Sequence, residues 1–197
     1  MSRQAILERK TDETRIGVEL NLDGSGTYRI KTPIPFLTHM LEQLARHAKL
    51  DISIEAEGDI HVDGHHTTED IGITLGKTIA KALGTRAGIR RFGSAIVPMD
   101  DACVLCALDL SGRSFMLWRI PLPKAKVGDF DSELAEVFFE GLVRAMGCNL
   151  HLRLLEGTVI HHIIEGSFKA FALALQQAVQ IDSCSKQIPS TKGTLTD

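Results

Sequence analysis

Long apolar runs are missing from this 197-residue chain, and none approaches the roughly 20 residues that a membrane-spanning helix needs. The opening segment, MSRQAILERKTDETR, is charged from the start and lacks the apolar centre of a secretory signal, so a cytoplasmic location is expected. A surplus of one charge is missing too: a formal charge of −3 leaves no electrostatic footprint for nucleic acid. Cysteine is scarce, and the four present do not pair by spacing. Cys103 and Cys106 stand in DACVLCALDL, a strand-like run in which positions three apart face opposite sides, so they neither bridge nor share an ion. Cys148 and Cys184 have no spaced partner, so reduced thiols are expected. The peptidase patterns HExxH and HxxEH are also absent.

What the chain does have is a pattern that occurs twice. HHTTED at 65–70 returns in outline as HHIIEG at 161–166. Paired imidazoles with a carboxylate one helical turn away suit a transition metal such as Mn, Fe or Zn. On a helix His65 and Glu69, or His161 and Glu165, share a face, whereas His66 and His162 point about 100° away. One copy therefore does not wrap a single ion with all three groups. Two copies suggest two metals, each drawing ligands from more than one segment.

The repetition extends beyond the motif. MLEQLAR (40–46) aligns with FFEGLVR (138–144) at a constant spacing of 98, matching Glu42 to Glu140 and Arg46 to Arg144. LDISIEAEG and NLHLRLLEG follow, both alternating and both ending in Glu-Gly, and the histidine motifs come next. Upstream, NLDGSG echoes LDLSGR. Four matches in one order indicate a repeated unit of roughly 90 residues.

Periodicity predicts the elements of each unit. In the first, strands at 14–20 and 27–31 flank LDGSG, read as a hairpin turn. A helix over 37–49, a strand at 51–57 and a helix over 67–83 ended by Gly84 complete it. The second has strands near 92–98, 102–110 and 114–120, a helix at 131–146, a strand at 149–155 and a helix at 161–180. The pattern β-β-α-β-α, twice, favours an α+β architecture of two small sheets, with the helices of both halves buried against one another between them. His39, at the start of the helix before the first motif, is a third candidate ligand; its counterpart at a spacing of 98 is Val137, with Glu136 one position off.

Together PFLTHMLEQLARH, GDIHVDGHHTTEDIGITLGK, RRFGSAIVPMDDA, LDLSGR, HHIIEGSFKAFALAL and PSTKG resemble the imidazoleglycerol-phosphate dehydratase family of histidine biosynthesis, over nearly the whole chain from Asp12 to Gly193. The resemblance implies a tandem duplication of a unit like the second domain of ribosomal protein S5. Residues 1–88 and 89–184 would be the two units, and 185–197 a tail contributing to the active site. It implies two Mn²⁺ ions per active site, a large octahedral homo-oligomer and active sites between subunits. The family's metal ligands fall on His39, His65, His66, Glu69, His161, His162 and Glu165, and an eighth, commonly His and sometimes Glu, falls on Val137. Its substrate contacts fall on Glu13, His39, His47, His65, Arg91, Arg113, His161, Lys169, Ser190, Thr191 and Lys192.

The chemistry so implied is loss of water from D-erythro-imidazoleglycerol phosphate to give imidazoleacetol phosphate. The hydrogen to be lost is on a carbon with no adjacent carbonyl, so enolate chemistry is closed to it. An imidazole between two cations can lose its N–H proton, and the resulting imidazolate can expel the neighbouring hydroxyl through a diazafulvene-like intermediate. Glu13 is the expected base for the following C–H proton, with Glu69 and Glu165 as the other carboxylates of the catalytic set. Arg91, Arg113 and Lys192 would hold the phosphate.

Bland alternatives stand beside these assignments. His61 and His151 read as structural or surface residues, His47 as helix surface, Arg90 and Arg91 as a solvated pair, and PSTKG as a disordered tail. Two other function classes also fit the motif pair: a di-metal hydrolase using metal-bound water, and a metal-binding or storage protein. The latter would have no use for cations directed at phosphate.

Overall fold

Alternation and helical periodicity become fourteen elements in a computed structural model, which describes residues 3–195. Met1 and Ser2 of the expected first unit, and Thr196 and Asp197 of the expected tail, lie outside the described residues. The first half contains β1 (Gln4–Lys10), β2 (Thr14–Asn21), β3 (Tyr28–Lys31), α1 (Pro35–Ala48), β4 (Asp51–Gly58) and α2 (His65–Leu83). The second contains β5 (Phe92–Met99), β6 (Ala102–Asp109), β7 (Phe115–Arg119), a small hairpin of β8 (Lys126–Val127) and β9 (Phe130–Asp131), α3 (Leu134–Met146), β10 (Asn149–Glu156) and α4 (Ile160–Val179). The sheets have the same topology, β1-β2-β4-β3 and β5-β6-β10-β7. In each, the last-named strand runs parallel to its neighbour and the others are antiparallel.

The expected α+β duplication is present, with three differences in detail. First, LDGSG is not a hairpin turn. β4 lies between β2 and β3, and β3 pairs with it in parallel, so α1 forms the crossover that a parallel pair requires. The loop is fastened to the start of β4, where Asp51 Oδ1 accepts the N–H groups of Ser25 (2.9 Å) and Thr27 (3.0 Å). Second, QAILERK, in the charged opening segment where periodicity predicts no strand, forms β1 by pairing in register with β2, so each unit is β-β-β-α-β-α. Third, three helix starts move by two residues or more. Pro35 opens α1, since its missing N–H is one the first turn leaves unused anyway. α2 begins at His65, and α3 at Leu134 because β9 and a turn precede it.

The helices lie between the sheets. α2 packs beneath β1 and β2, and α4 beneath β5 and β6, while α2 meets α3 and α1 meets α4 across the two halves. Phe138, Phe139, Phe168 and Phe171 fill the centre of the second half, with ring centroids as close as 4.8 Å. The α2–α3 crossing is set by glycine. A Cβ on Gly72 would lie 2.4 Å from the Phe138 carbonyl oxygen, and one on Gly76 2.5 Å from that of Leu142. Between the halves, buried Arg86 donates to the carbonyls of Leu110 (2.9 Å), Gly147 (2.8 Å) and Met146 (2.7 Å), tying the connection to the end of α3.

Candidate functional site

The second motif opens α4. His161 and Glu165 share a face as their spacing requires, with Nε2 and Oε2 3.2 Å apart. α1 brings His39 to the same place, its Nε2 3.7 Å from Glu165 Oε2, and Phe36 sets its ring edgewise on His161 at 5.1 Å. Donor atoms of His39, His161 and Glu165 all lie within 4.8 Å of one another, the only such trio among the described residues. An ion with ligand bonds of about 2 Å fits that span, and mixed imidazole and carboxylate donors suit a divalent transition metal. The Glu165 side chain is 6% exposed, and Lys169 Nζ lies 2.7 Å from its Oε1. Burial works against its ionisation, but the hydrogen bond and charge of Lys169, helped by His161 and His39, hold the carboxyl below its ordinary range. His47 lies one helical turn beyond Gln43, bonded to it at 3.2 Å; burial, with the charge of Lys169, lowers its imidazole.

The first motif is arranged differently. His65 and Glu69 open α2, but Glu69 Oε1 pairs with Arg144 Nη2 at 2.7 Å. Val137 holds on α3 the place that His39 holds on α1, and it offers no donor atom. Leu134 likewise stands where Phe36 does, against the start of α2: a Cβ on Gly64 would meet its Cδ1 at 3.1 Å. Glu136 does not join the group; burial, with the nearby charge of Glu140, raises its carboxyl. His66 Nδ1 lies 3.0 Å from Asp59 Oδ2 and 3.7 Å from Glu13 Oε2, so that hydrogen bonding to Asp59 raises the imidazole and lowers the aspartate. Glu13 itself stands in the β1–β2 turn with its side chain 54% exposed. In the second half His162 Nδ1 lies 2.7 Å from Asp101 Oδ1. Spacing alone did not point to Asp59 or Asp101, because both lie outside the helices that carry the motifs.

The expected anion-binding residues come together elsewhere. Arg91, Arg113, Ser190, Thr191 and Lys192, with Gln187 and Pro189, line a cavity of about 590 Å³. Arg91 adopts a φ of 71° and is firmly held: Nε and Nη2 donate to Asp109 at 2.7 and 3.0 Å, and Nη1 to the Pro189 carbonyl at 2.8 Å. Two of its five N–H donors remain for a ligand. Arg113 and Lys192 are exposed. A larger hollow of about 820 Å³ over the first sheet, among Gln4, Glu19, Tyr28, Arg29 and Ser53, contains none of these groups.

The cradle is far from the trio within one chain. Arg91 donates its backbone N–H to Ala178 at the end of α4, whereas the trio is at the beginning. From Glu165 to Ala178 the helix rises about 20 Å.

Fold and site together define a duplicated α+β protein with a candidate divalent-metal site and a separate cationic cradle. Residues 32–175 match the family model described as imidazoleglycerol-phosphate dehydratase. A curated protein of that name from Desulforamulus reducens is 53% identical over 99% of this chain and all of its own length. Its namesake from Moorella thermoacetica is 50% identical, with both chains fully covered. The crystal structure of the Staphylococcus aureus imidazoleglycerol-phosphate dehydratase superposes with a TM-score of 0.82 at 34% identity, covering 90% of this chain and 99% of that one. For the Pyrococcus furiosus enzyme, solved in complex with (S)-C348, the TM-score is 0.83 at 37% identity over 95% and 99%. This chain belongs to the imidazoleglycerol-phosphate dehydratase family, whose members are hydro-lyases.

Proposed function

We propose that this protein removes water from D-erythro-imidazoleglycerol phosphate to form imidazoleacetol phosphate in histidine biosynthesis. The observation that carries the reading is the convergence of His39, His161 and Glu165 in a chain that matches this family over nearly its full length.

The residues divide into three tasks. His39, His161 and Glu165 would contribute to one divalent-ion site, and His65, His66, Glu69 and His162 would supply the further ligands, no motif wrapping an ion alone; both ions are Mn²⁺ in our reading. Bound there, the ions would supply positive charge to the substrate's imidazole and make loss of its N–H proton feasible near neutral pH. Glu13, exposed and beside the first motif, would take the C–H proton once the hydroxyl has left. Lys169 keeps Glu165 ionised, and His47, lowered by burial and by that same lysine, would meet the substrate as a neutral ring. Arg113, Lys192, Ser190, Thr191 and the remaining donors of Arg91 would grip the phosphate, so that the imidazole end is presented in a fixed orientation.

In our reading those tasks are shared between chains. The substrate spans about 9 Å of covalent structure, at roughly 1.5 Å per bond. The stretch of α4 between Glu165 and Ala178, the residue that Arg91 bonds, is about 20 Å and exceeds that span. A cradle from one copy facing the metal ligands of another supports the reading of a homo-oligomer with active sites between subunits and residues 185–197 as part of them. Incubation with Mn²⁺ and imidazoleglycerol phosphate should yield the enolisable ketone. No product from metal-loaded protein would refute the reading, and Arg113→Ala should abolish turnover while leaving metal uptake intact.

A further inference from the structure

His66 and His162, the second histidines of the two motifs, each have a carboxylate behind them. Asp59 Oδ2 lies 3.0 Å from His66 Nδ1, and Asp101 Oδ1 lies 2.7 Å from His162 Nδ1. These aspartates are not counterparts in the duplication. Asp59 follows β4, whereas Asp101 sits in the β5–β6 turn immediately before Ala102. The residue in Asp101's place in the first half is Glu13, immediately before Thr14, and it reaches the same His66 Nδ1 only at 3.7 Å. The two halves thus arrive at one arrangement by different routes.

We infer that Asp59 and Asp101 are positioning residues, fixing His66 and His162 as Nδ1–H tautomers that present Nε2 to a divalent cation, and that Asp59 thereby leaves Glu13 free to move protons. The inference rests on the metal reading above and assigns roles that reading leaves open. A neutral imidazole carries one N–H and one lone pair, so a carboxylate that accepts the Nδ1 proton leaves the lone pair on Nε2. It also locks the ring and makes the ligating nitrogen more basic. Asp59 suits the task because its side chain is only 18% exposed and its second oxygen, Oδ1, is buried without a donor among the described residues, which leaves His66 as its partner. Asp100 approaches His162 Nε2 at 3.4 Å, but its side chain is 69% exposed and can turn away.

The division of labour follows from what else each carboxylate holds. Asp101 also accepts the N–H of Thr158 (2.7 Å), the N–H of Val159 (3.0 Å) and the Thr158 hydroxyl (3.0 Å), so it anchors the entry to α4 and cannot leave. At 3.7 Å Glu13 is beyond hydrogen-bond range of His66, and its exposed carboxylate keeps lone pairs for a proton. The base therefore belongs to the first half alone.

Titrating the purified protein with Mn²⁺, and following free ion by its electron paramagnetic resonance signal, tests both parts. Asp59→Ala should weaken one class of site by about 10–100-fold. Asp59→Asn, which keeps an acceptor for the Nδ1 proton and the side-chain volume, should weaken it less. Glu13→Gln should keep wild-type Mn²⁺ affinity at every site while turnover falls. Wild-type affinity in Asp59→Ala would overturn the positioning role, and a loss in Glu13→Gln as large as in Asp59→Ala would overturn the division of labour. Wild-type protein that takes up no divalent ion would instead overturn the metal reading itself.

Discussion

Replacing Arg86 with Met tests how the two halves are joined and how the cradle is held. The guanidinium is buried between them and donates to three carbonyls at 2.7–2.9 Å. Met fills most of the volume and removes the cost of burying a charge, so the loss is governed by the carbonyls left behind. Gly147 O retains the Gly112 N–H at 3.0 Å, which leaves the oxygens of Leu110 and Met146 to bear the change. At about 1–3 kcal/mol for each buried acceptor left unsatisfied, the protein should lose about 4 kcal/mol. For a chain of this size that corresponds to a fall in Tm of roughly 10 °C by scanning calorimetry at fixed protein concentration. Leu110 lies two residues before Gly112 and Gly147 O accepts the Gly112 N–H, next to Arg113, so affinity for inorganic phosphate should drop as well, with Mn²⁺ affinity unchanged. A Tm within about 3 °C of wild type would show that the clamp is not what secures this junction.

Other expectations are more local. Val137→His should supply the donor that α3 lacks and tighten the first-motif metal site by about tenfold, the 10–100-fold scale of a change beside a metal; an unchanged titration would mean that this position does not face the ion. Gly72→Ala forces a methyl group to within 2.4 Å of a backbone oxygen and should cost about 1–3 kcal/mol by urea unfolding; a neutral result would show that the helices can separate freely. The Asp51 carboxyl is lowered chiefly by the Ser25 N–H, with burial opposing and the Thr27 N–H adding to the lowering. A group lowered in the folded state stabilises above its unfolded value of about 3.9 and loses that contribution as pH falls through the folded value. The Tm advantage of wild type over Asp51→Asn should therefore be steady above about pH 5 and shrink in acid; a gap that persists there would refute the assignment.

The residues differ in how much they disclosed. Helical stripes such as Leu37, Met40, Leu41 and Leu44 are local, and all four are fully buried. β1 was not legible because Gln4–Lys10 carries few apolar residues and becomes a strand only through β2. The LDGSG loop reads as a hairpin turn because its glycines are real turn residues, while the strand that separates β2 from β3 comes 25 residues or more later. At the site, helical spacing was enough to place His161 beside Glu165, and His39 could be proposed from its position before a motif. Nothing local showed that His39 would meet the second motif rather than the first; that follows from α1 packing against α4. Asp59 and Asp101 were hidden for the same reason, since each lies near its histidine only after a loop has folded back.

The length of α4 also bears on what happens when damaged chains mix. If cradle and trio serve one substrate from different copies, a lesson in shared inheritance is built into the helix. A chain disabled at Lys192 still has its metal ligands, and one disabled at Glu165 still has its cradle. Co-assembled, two inactive proteins would form some whole sites by pairing the intact end of one with the intact end of the other. Two harmful alleles in one cell could then restore a function that neither supports alone.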